Sequence, residues 1–304
     1  MPIQTLTCGG TTWVNVENAS LQDLERLRQT FGFHPLALED VLNRNERPKV
    51  DEYGDYLFLV LQFPVFQKEQ RLSVPRELHV FVGADYLVTA HDASLRPLVD
   101  LFRECGQDEA ARQRNMEAGP GWLLYRILDR MVDHLFLILD RVGARIRGIE
   151  EGLFTQNIRS MVEEISLVRR DLIALRSIVK PQIGLVADLE RGDYPVLRQD
   201  LKPYFGDVAD GFHRAWDILE DYREVMDDLS ETADSLTSYR INEVMRVLTV
   251  ISVIMLPLTL LAGIYGMNVP LPLAHSPLSF ILILGLMMLI AAGMLFYFRR
   301  RGWV

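Results

Sequence analysis

Cysteine is scarce in this 304-residue chain: Cys8 and Cys105 are the only two, far apart and outside any CxxC pair. That excludes a disulfide framework and a thiolate metal centre, and leaves two reduced thiols expected in the interior. Positive charge is also in short supply. Against 41 acidic residues stand 32 basic ones, a formal net charge of -9. A nucleic-acid binder that leans on backbone phosphates is thereby excluded, and cations are the charged partners to expect. No GxxxxGK[ST] run is present, so no nucleotide-cradling loop is expected. The opening "MPIQTLTCGGTTWVNV" has no basic start followed by an apolar run, which argues against a cleavable secretory signal and for an N-terminus in the cytoplasm.

The most informative absence is of charge itself. From Val247 to Phe298 there is no Asp, Glu, Lys or Arg. Spanning a bilayer takes about 20 apolar residues, and "VLTVISVIMLPLTLLAGIY" and "LSFILILGLMMLIAAGMLFYF" supply two such spans. Arg240 and Arg246 precede the first, Arg299, Arg300 and Arg301 follow the second, and the loop between carries only His275 as an ionisable residue. By the positive-inside rule both ends are cytoplasmic and the loop is outside.

What is present before the spans divides in two. Residues 1–115 mix β-rich runs, such as "YLFLVLQFPVF" and "ELHVFVGADYLVTAH", with the helical patterns "LQDLERLRQTFG" and "HPLALEDVLN", and read as an α/β or α+β domain. Residues 116–205 read as helical, with Leu124, Ile127, Leu128, Met131, Leu135 and Ile138 on one apolar stripe, a second helix over about Ser160 to Leu189, and a turn at "RGDYP". Residues 206–267 read as one stalk helix running into the first span, about 90 Å long from Asp207 to Tyr265 at ~1.5 Å per residue. An outer loop over 268–277, a second span over 278–298 and a basic tail over 299–304 complete the division.

The stalk helix carries two patterns. Ile218, Tyr222, Val225, Leu229 and Leu236 form an apolar stripe that needs other helices to cover it. Beside it, spaced alternately by three and four, run Asp217, Asp221, Glu224, Asp228, Glu231, Ser235, Ser238, Asn242, Met245, Thr249, Ser252, Leu256, Thr259, Gly263 and Gly266. This seven-residue repeat persists from the soluble half into the span, where it collects small and polar side chains. Ile251, Ile254, Leu258 and Leu261 are purely apolar and are expected to face lipid. Small and polar residues in a membrane helix face other helices or a water path, so copies of the helix around an axis would line a pore with carboxylates ringing its lower part. The plainer alternatives are a solvated acidic face and a two-helix anchor.

"GIYGMN" at residues 263–268 resembles the Gly-Met-Asn signature of the CorA metal-ion transporters. So do "NEVMRVLTVISVIMLPLTLLAGIYGMN" over the first span, the basic end "YFRRRGW", and "FGFHPLALEDVLNRNERPKVDEYGDYLFLVL" in the soluble part. The resemblance implies an α/β cytoplasmic domain, a long helical stalk and two transmembrane helices in a CorA-like funnel, assembled as a homopentamer in the cell inner membrane. It implies passive, ATP-independent uptake of Mg²⁺. It makes Gly266, Met267 and Asn268 the selectivity motif and Asn242, Met245, Leu248, Thr249, Leu256 and Thr259 pore-lining, with Met245 and Leu248 an apolar constriction. Glu39, Asp40, Asp129 and Asp207 match positions where such relatives bind regulatory Mg²⁺ between subunits; no organic cofactor is implied. Where Mg²⁺-selective relatives carry an acidic "MPEL"-type loop, this chain has "VPLPLAHSP", which leaves Co²⁺ and Ni²⁺ open as cargo. A ZntB-like, proton-coupled zinc transporter, with His275 as outer ligand, is the alternative within the superfamily. A membrane-anchored enzyme would have to use His91 with Asp92 or His79 with Glu77, and neither pair has a nucleophile motif beside it.

Overall fold

The computed structural model describes residues 3–43, 46–153, 158–267 and 277–303. It divides into two units, Met1–Ser230 and Glu231–Val304.

In the first unit β1 (Ile3–Cys8) and β2 (Thr11–Glu17) form a hairpin. Its two-residue turn is Gly9–Gly10, both at positive φ (56° and 84°), the geometry that glycine adopts without strain. Helices α1 (Leu21–Phe31) and α2 (Pro35–Leu42) follow. Ser20 and Asp23 close a capping box at the start of α1, and Gly32 ends it in the left-handed region. Pro35 opens α2 where its missing N–H costs nothing. Strands β3 (Lys49–Glu52), β4 (Leu57–Gln67), β5 (Leu72–Val82) and β6 (Tyr86–His91) complete a six-stranded sheet of order β1-β2-β6-β5-β4-β3. Only β2 and β6 pair parallel, because the chain crosses over between them through the intervening elements.

Alternation along the strands sends Phe58, Val60, Phe81 and Val88 to one face, where Leu24, Leu27, Phe33, Ala37 and Leu38 of the α1–α2 layer cover them. Helices α3 (Arg96–Gln107), α4 (Glu109–Met116), α5 (Pro120–Gly152) and α6 (Ile158–Arg191) follow the sheet, and α5 and α6 both pack on it. The expected stripe from Leu124 to Ile138 is buried throughout. Asp171 of α6, 1% exposed, accepts the backbone N–H of Ser73 at 2.6 Å and pairs with Arg145 of α5 at 3.3 Å, tying both helices to β5. Of the two thiols expected inside, Cys105 is buried but Cys8 is only half-buried. It closes β1, the edge strand, where the sheet covers one side alone.

Helix α7 (Lys202–Tyr265) begins five residues before the expected Asp207, since Pro203 fits a first turn whose N–H groups have no partner to lose. Its buried face also differs from the expected one. Phe205, Val208, Ala209, Phe212, Ala215, Leu219 and Met226 are buried, whereas Ile218, Tyr222, Val225, Leu229 and Leu236 are half-buried. Small residues mark the centre of the contact: a Cβ on Gly211 would meet Val132 Cγ1 at 2.7 Å.

In the second unit, α7 ends at Tyr265 and α8 (Pro277–Arg300) is the other helix; both are long and apolar enough to cross a membrane. Pro257 lies inside α7. A partly covered row on α7, Val250, Ile254, Pro257, Leu258 and Leu261, has a counterpart on α8 in Ile283, Met287, Ile290, Ala291 and Met294. At the charged end Arg246 Nη1 donates to the Gly302 carbonyl at 3.2 Å. Of the positions expected to face lipid, Ile251 is exposed, but Ile254, Leu258 and Leu261 belong to the covered row. An apolar seam between two spans has the composition of a lipid face, so hydropathy alone does not separate them.

Candidate functional site

Every position of the three-and-four stripe on α7 is exposed, from Asp217 to Gly266. Asn242, Met245, Leu248, Thr249, Leu256 and Thr259 are all open to solvent, with Leu256 at 70%. Three hydroxyls on this row have one orientation in common. Thr249 Oγ1 donates to the Met245 carbonyl at 2.7 Å, Ser252 Oγ to Leu248 at 2.8 Å and Thr259 Oγ1 to Met255 at 2.8 Å. A hydroxyl has one proton and two lone pairs. With the proton spent on the helix's own backbone, each offers outward only an acceptor.

Ser252, Leu256, Thr259 and Gly263 border a shallow groove that ends at Met267. The last turn closes through Gly266 N–H to the Ala262 carbonyl (2.9 Å) and Met267 N–H to that of Ile264 (3.2 Å). Asn268, the remainder of the 268–276 loop and His275 lie outside the described residues.

The expected metal-binding carboxylates fall into two groups. Asp40 Oδ2 is paired with Lys49 Nζ at 2.8 Å, and the same ammonium reaches Asp51 Oδ2 at 2.9 Å. Burial works against the Lys49 charge, but hydrogen bonds to Asp40 and Asp51 outweigh it and raise the pKa. Glu39, beside Asp40 on α2, is exposed. The second group is Asp129 on α5 and Asp207 on α7. Asp129 pairs with Arg126 one turn away at 3.0 Å. Burial pushes its carboxyl pKa up, Arg126 opposes that, and the charges of Asp133 and Asp207 add to the rise. Asp207 itself is exposed. An all-oxygen donor set of this kind suits a hard cation such as Mg²⁺. Among the described residues, no group of three or more His, Cys, Asp or Glu in a single chain is spaced to hold a metal.

Lys49 and Arg126 were not anticipated. The Arg126–Asp129 spacing is a legible helix pair; Lys49 meets Asp40 only through the packing of β3 beside α2. The two histidine pairs sit along β5 and β6. His91 Nε2 lies 3.0 Å from Asn15 Oδ1 and its Nδ1 accepts the Ala93 N–H at 3.0 Å, while Asp92 pairs with Arg76 at 3.1 Å. Those atoms are engaged in holding the β6 end.

Compared with known proteins, the chain matches the model of the family described as "CorA-like Mg2+ transporter protein" over residues 9–300. YfjQ of Bacillus subtilis (strain 168) is 32% identical, across 100% of this chain and 93% of its own length. The cobalt/magnesium transport protein CorA of Thermotoga maritima is 30% identical, across 96% of this chain and 83% of its own. The complete structure of the CorA magnesium transporter from Methanocaldococcus jannaschii superposes with a TM-score of 0.84 at 24% identity, covering 97% of this chain and 92% of that one. More distant relatives include the zinc transport protein ZntB of Pectobacterium carotovorum, 20% identical across 85% of this chain and 77% of its own length.

Proposed function

Because the chain belongs to the CorA-like Mg2+ transporter family, we propose that it carries Mg²⁺ passively inward through a homopentameric pore in the cell inner membrane, with both termini cytoplasmic. The observation that supports this best is the exposed row on α7, where Thr249, Ser252 and Thr259 turn only acceptors outward. Mg²⁺ gives up its water reluctantly, and the waters around a cation point their hydrogens outward. Thr249, Ser252 and Thr259 turn lone pairs and no protons outward, and that stretch of the row receives the shell without binding the ion directly. Copies of α7 around an axis set this row towards the centre.

Asn268 completes the path as a ring of neutral amide oxygens, which accept from the hydrated ion yet release it. Gly266 allows the backbones to approach there and Met267 packs the turn. Lower down, Met245 and Leu248 form an apolar constriction that closes by dewetting. The membrane potential supplies the drive, about 4.6 kcal/mol for a divalent ion at ~100 mV. Internal Mg²⁺ holds the pore shut by binding between neighbouring subunits at Glu39, Asp40, Asp129 and Asp207. When the ion leaves, like charges repel and the contact loosens.

The zinc relatives, together with the absence of an acidic outer loop, favour one second reading: proton-coupled Zn²⁺ transport through the same path. Flux into liposomes holding the purified protein separates the two, run beside Asn268→Ala with Zn²⁺ and a pH-sensitive dye in parallel. Mg²⁺ entry without acidification, lost in the variant, is the expected result. Zn²⁺ entry tied to a proton signal moves the chain to the second reading, and no flux of either leaves a membrane anchor.

A further inference from the structure

Past its last helical residues α8 turns back on itself. Gly302, at φ 69°, takes the left-handed position after the helix; its N–H bonds to the Arg299 carbonyl at 3.1 Å, and the Trp303 N–H reaches the Phe298 carbonyl at 3.0 Å. These two bonds make a Schellman turn. The apolar contact that accompanies such a turn is present as well, since the Trp303 indole stacks on the Phe298 ring with centroids 5.7 Å apart. From the other helix, Arg246 Nη1 donates to the Gly302 carbonyl at 3.2 Å and fastens the turn to α7.

Between Ser235 and Trp303 the sequence has five arginines, Arg240, Arg246, Arg299, Arg300 and Arg301, against one carboxylate, Glu243. The surplus is not all committed. Arg246 is held by Gly302, and the Arg301 guanidinium lies 5.5 Å from the centre of the Tyr297 ring. The guanidinium groups of Arg299 and Arg300 are exposed and, among the described residues, have no partner. Half-buried Phe298 continues the covered row of α8 one turn beyond Met294. Successive residues turn by about 100°, so Arg299 and Arg300 stand on the sides of α8 that α7 leaves open.

Both arginines follow the charge-free span without a break, which sets them at the depth of headgroup phosphates once α8 crosses a bilayer. Trp303, folded back to that depth and 42% exposed, is an amphipathic ring of the kind that settles in this layer. A guanidinium grips a phosphate through two parallel N–H donors. A zwitterionic headgroup brings its own ammonium to a surface that is already positive, whereas an anionic one does not. Orienting the spans needs positive charge alone; the folded turn adds an indole fixed beside two unpaired guanidinium groups.

We propose that Arg299 and Arg300, with Trp303 beside them, bind the phosphate of an anionic phospholipid in the leaflet at the charged end of α8. The inference rests on the membrane reading above and is independent of the cargo.

Trp303 reports on the contact, because the other tryptophans, Trp13, Trp122 and Trp216, belong to the first unit. The full-length protein is placed in phosphatidylcholine nanodiscs that carry a small fraction of phosphatidylglycerol brominated high on its acyl chain, or the same fraction of phosphatidylcholine brominated likewise. Bromine quenches tryptophan on contact, and Trp303→Phe gives the background. Phosphatidylglycerol should be preferred about tenfold, and Arg299→Gln and Arg300→Gln should each cut that preference roughly fivefold. Each single variant keeps the remaining arginines that orient the spans. Equal quenching by the two labelled lipids in the wild type, or a preference that neither variant reduces, overturns the proposal. So does a preference abolished by inorganic phosphate but not by chloride of equal ionic strength, which assigns the two guanidinium groups to a free phosphate. Quenching by neither lipid overturns the membrane reading itself, and the proposal with it.

Discussion

Lys49 sits between two carboxylates, 2.8 Å from Asp40 and 2.9 Å from Asp51, and its ammonium offsets the charge of both. Replacing it by methionine leaves two like charges near one another. Because the lysine pKa is raised in the fold, its contribution is complete at neutral pH and is lost only as pH rises through the raised value. Lys49→Met should therefore lower stability at pH 7 by about 1 kcal/mol, the pair being partly exposed. Millimolar Mg²⁺ should restore more of the loss in the variant than it adds to the wild type. Thermal unfolding with and without Mg²⁺ checks both halves.

Asp171 allows a harsher test. Its carboxylate is buried, with the Ser73 N–H and Arg145 as partners, and Asp171→Ala strands the Ser73 N–H while Arg145 keeps Glu164 at 3.1 Å. A loss of about 1–3 kcal/mol is expected. Arg159→Ala, which removes an exposed pair with Glu163, should cost no more than about 0.5 kcal/mol. Denaturant unfolding of the two variants side by side measures the contrast.

His91 predicts an acid sensitivity. Burial lowers its pKa from the ordinary value, and its Nδ1 is already accepting the Ala93 N–H. Above about pH 6.5 neither folded nor unfolded chain is protonated there. Below it the unfolded chain takes up a proton that the folded one resists, so stability falls as pH falls. The melting temperature of His91→Gln should decline less steeply between about pH 7 and 5.5 than that of the wild type.

Thr259 tests the acceptor row. Its hydroxyl proton goes to the Met255 carbonyl, so Thr259→Val removes an outward acceptor while leaving shape and backbone ladder in place. One lost hydrogen bond of about 1 kcal/mol slows divalent flux roughly fivefold. Unchanged flux would remove Thr259 from the path.

Much of the fold was legible because the pattern that encodes it is local. The α5 stripe from Leu124 to Ile138 shows its period within one helix, and the charge-free run from Val247 to Phe298 announces the spans. What escaped depends on partners distant in sequence. The apolar spacing puts the buried face of α7 on Ile218, Tyr222 and Val225, because hydropathy weights large side chains over alanine and glycine. In the fold the helices meet where Ala209, Gly211 and Ala215 let them come closest, and the larger residues flank that contact. Lys49 beside Asp40 follows from sheet register, which no single segment records. The exposed stripe was readable as a row; that three of its hydroxyls turn their protons inward was not.

Pro257 brings no N–H to α7, so the Val253 carbonyl lacks the rung that every neighbouring turn possesses. A rod with one missing rung yields there before it yields elsewhere. Bending of α7 is therefore easiest between Val253 and Pro257, which makes that turn the compliant point of the helix.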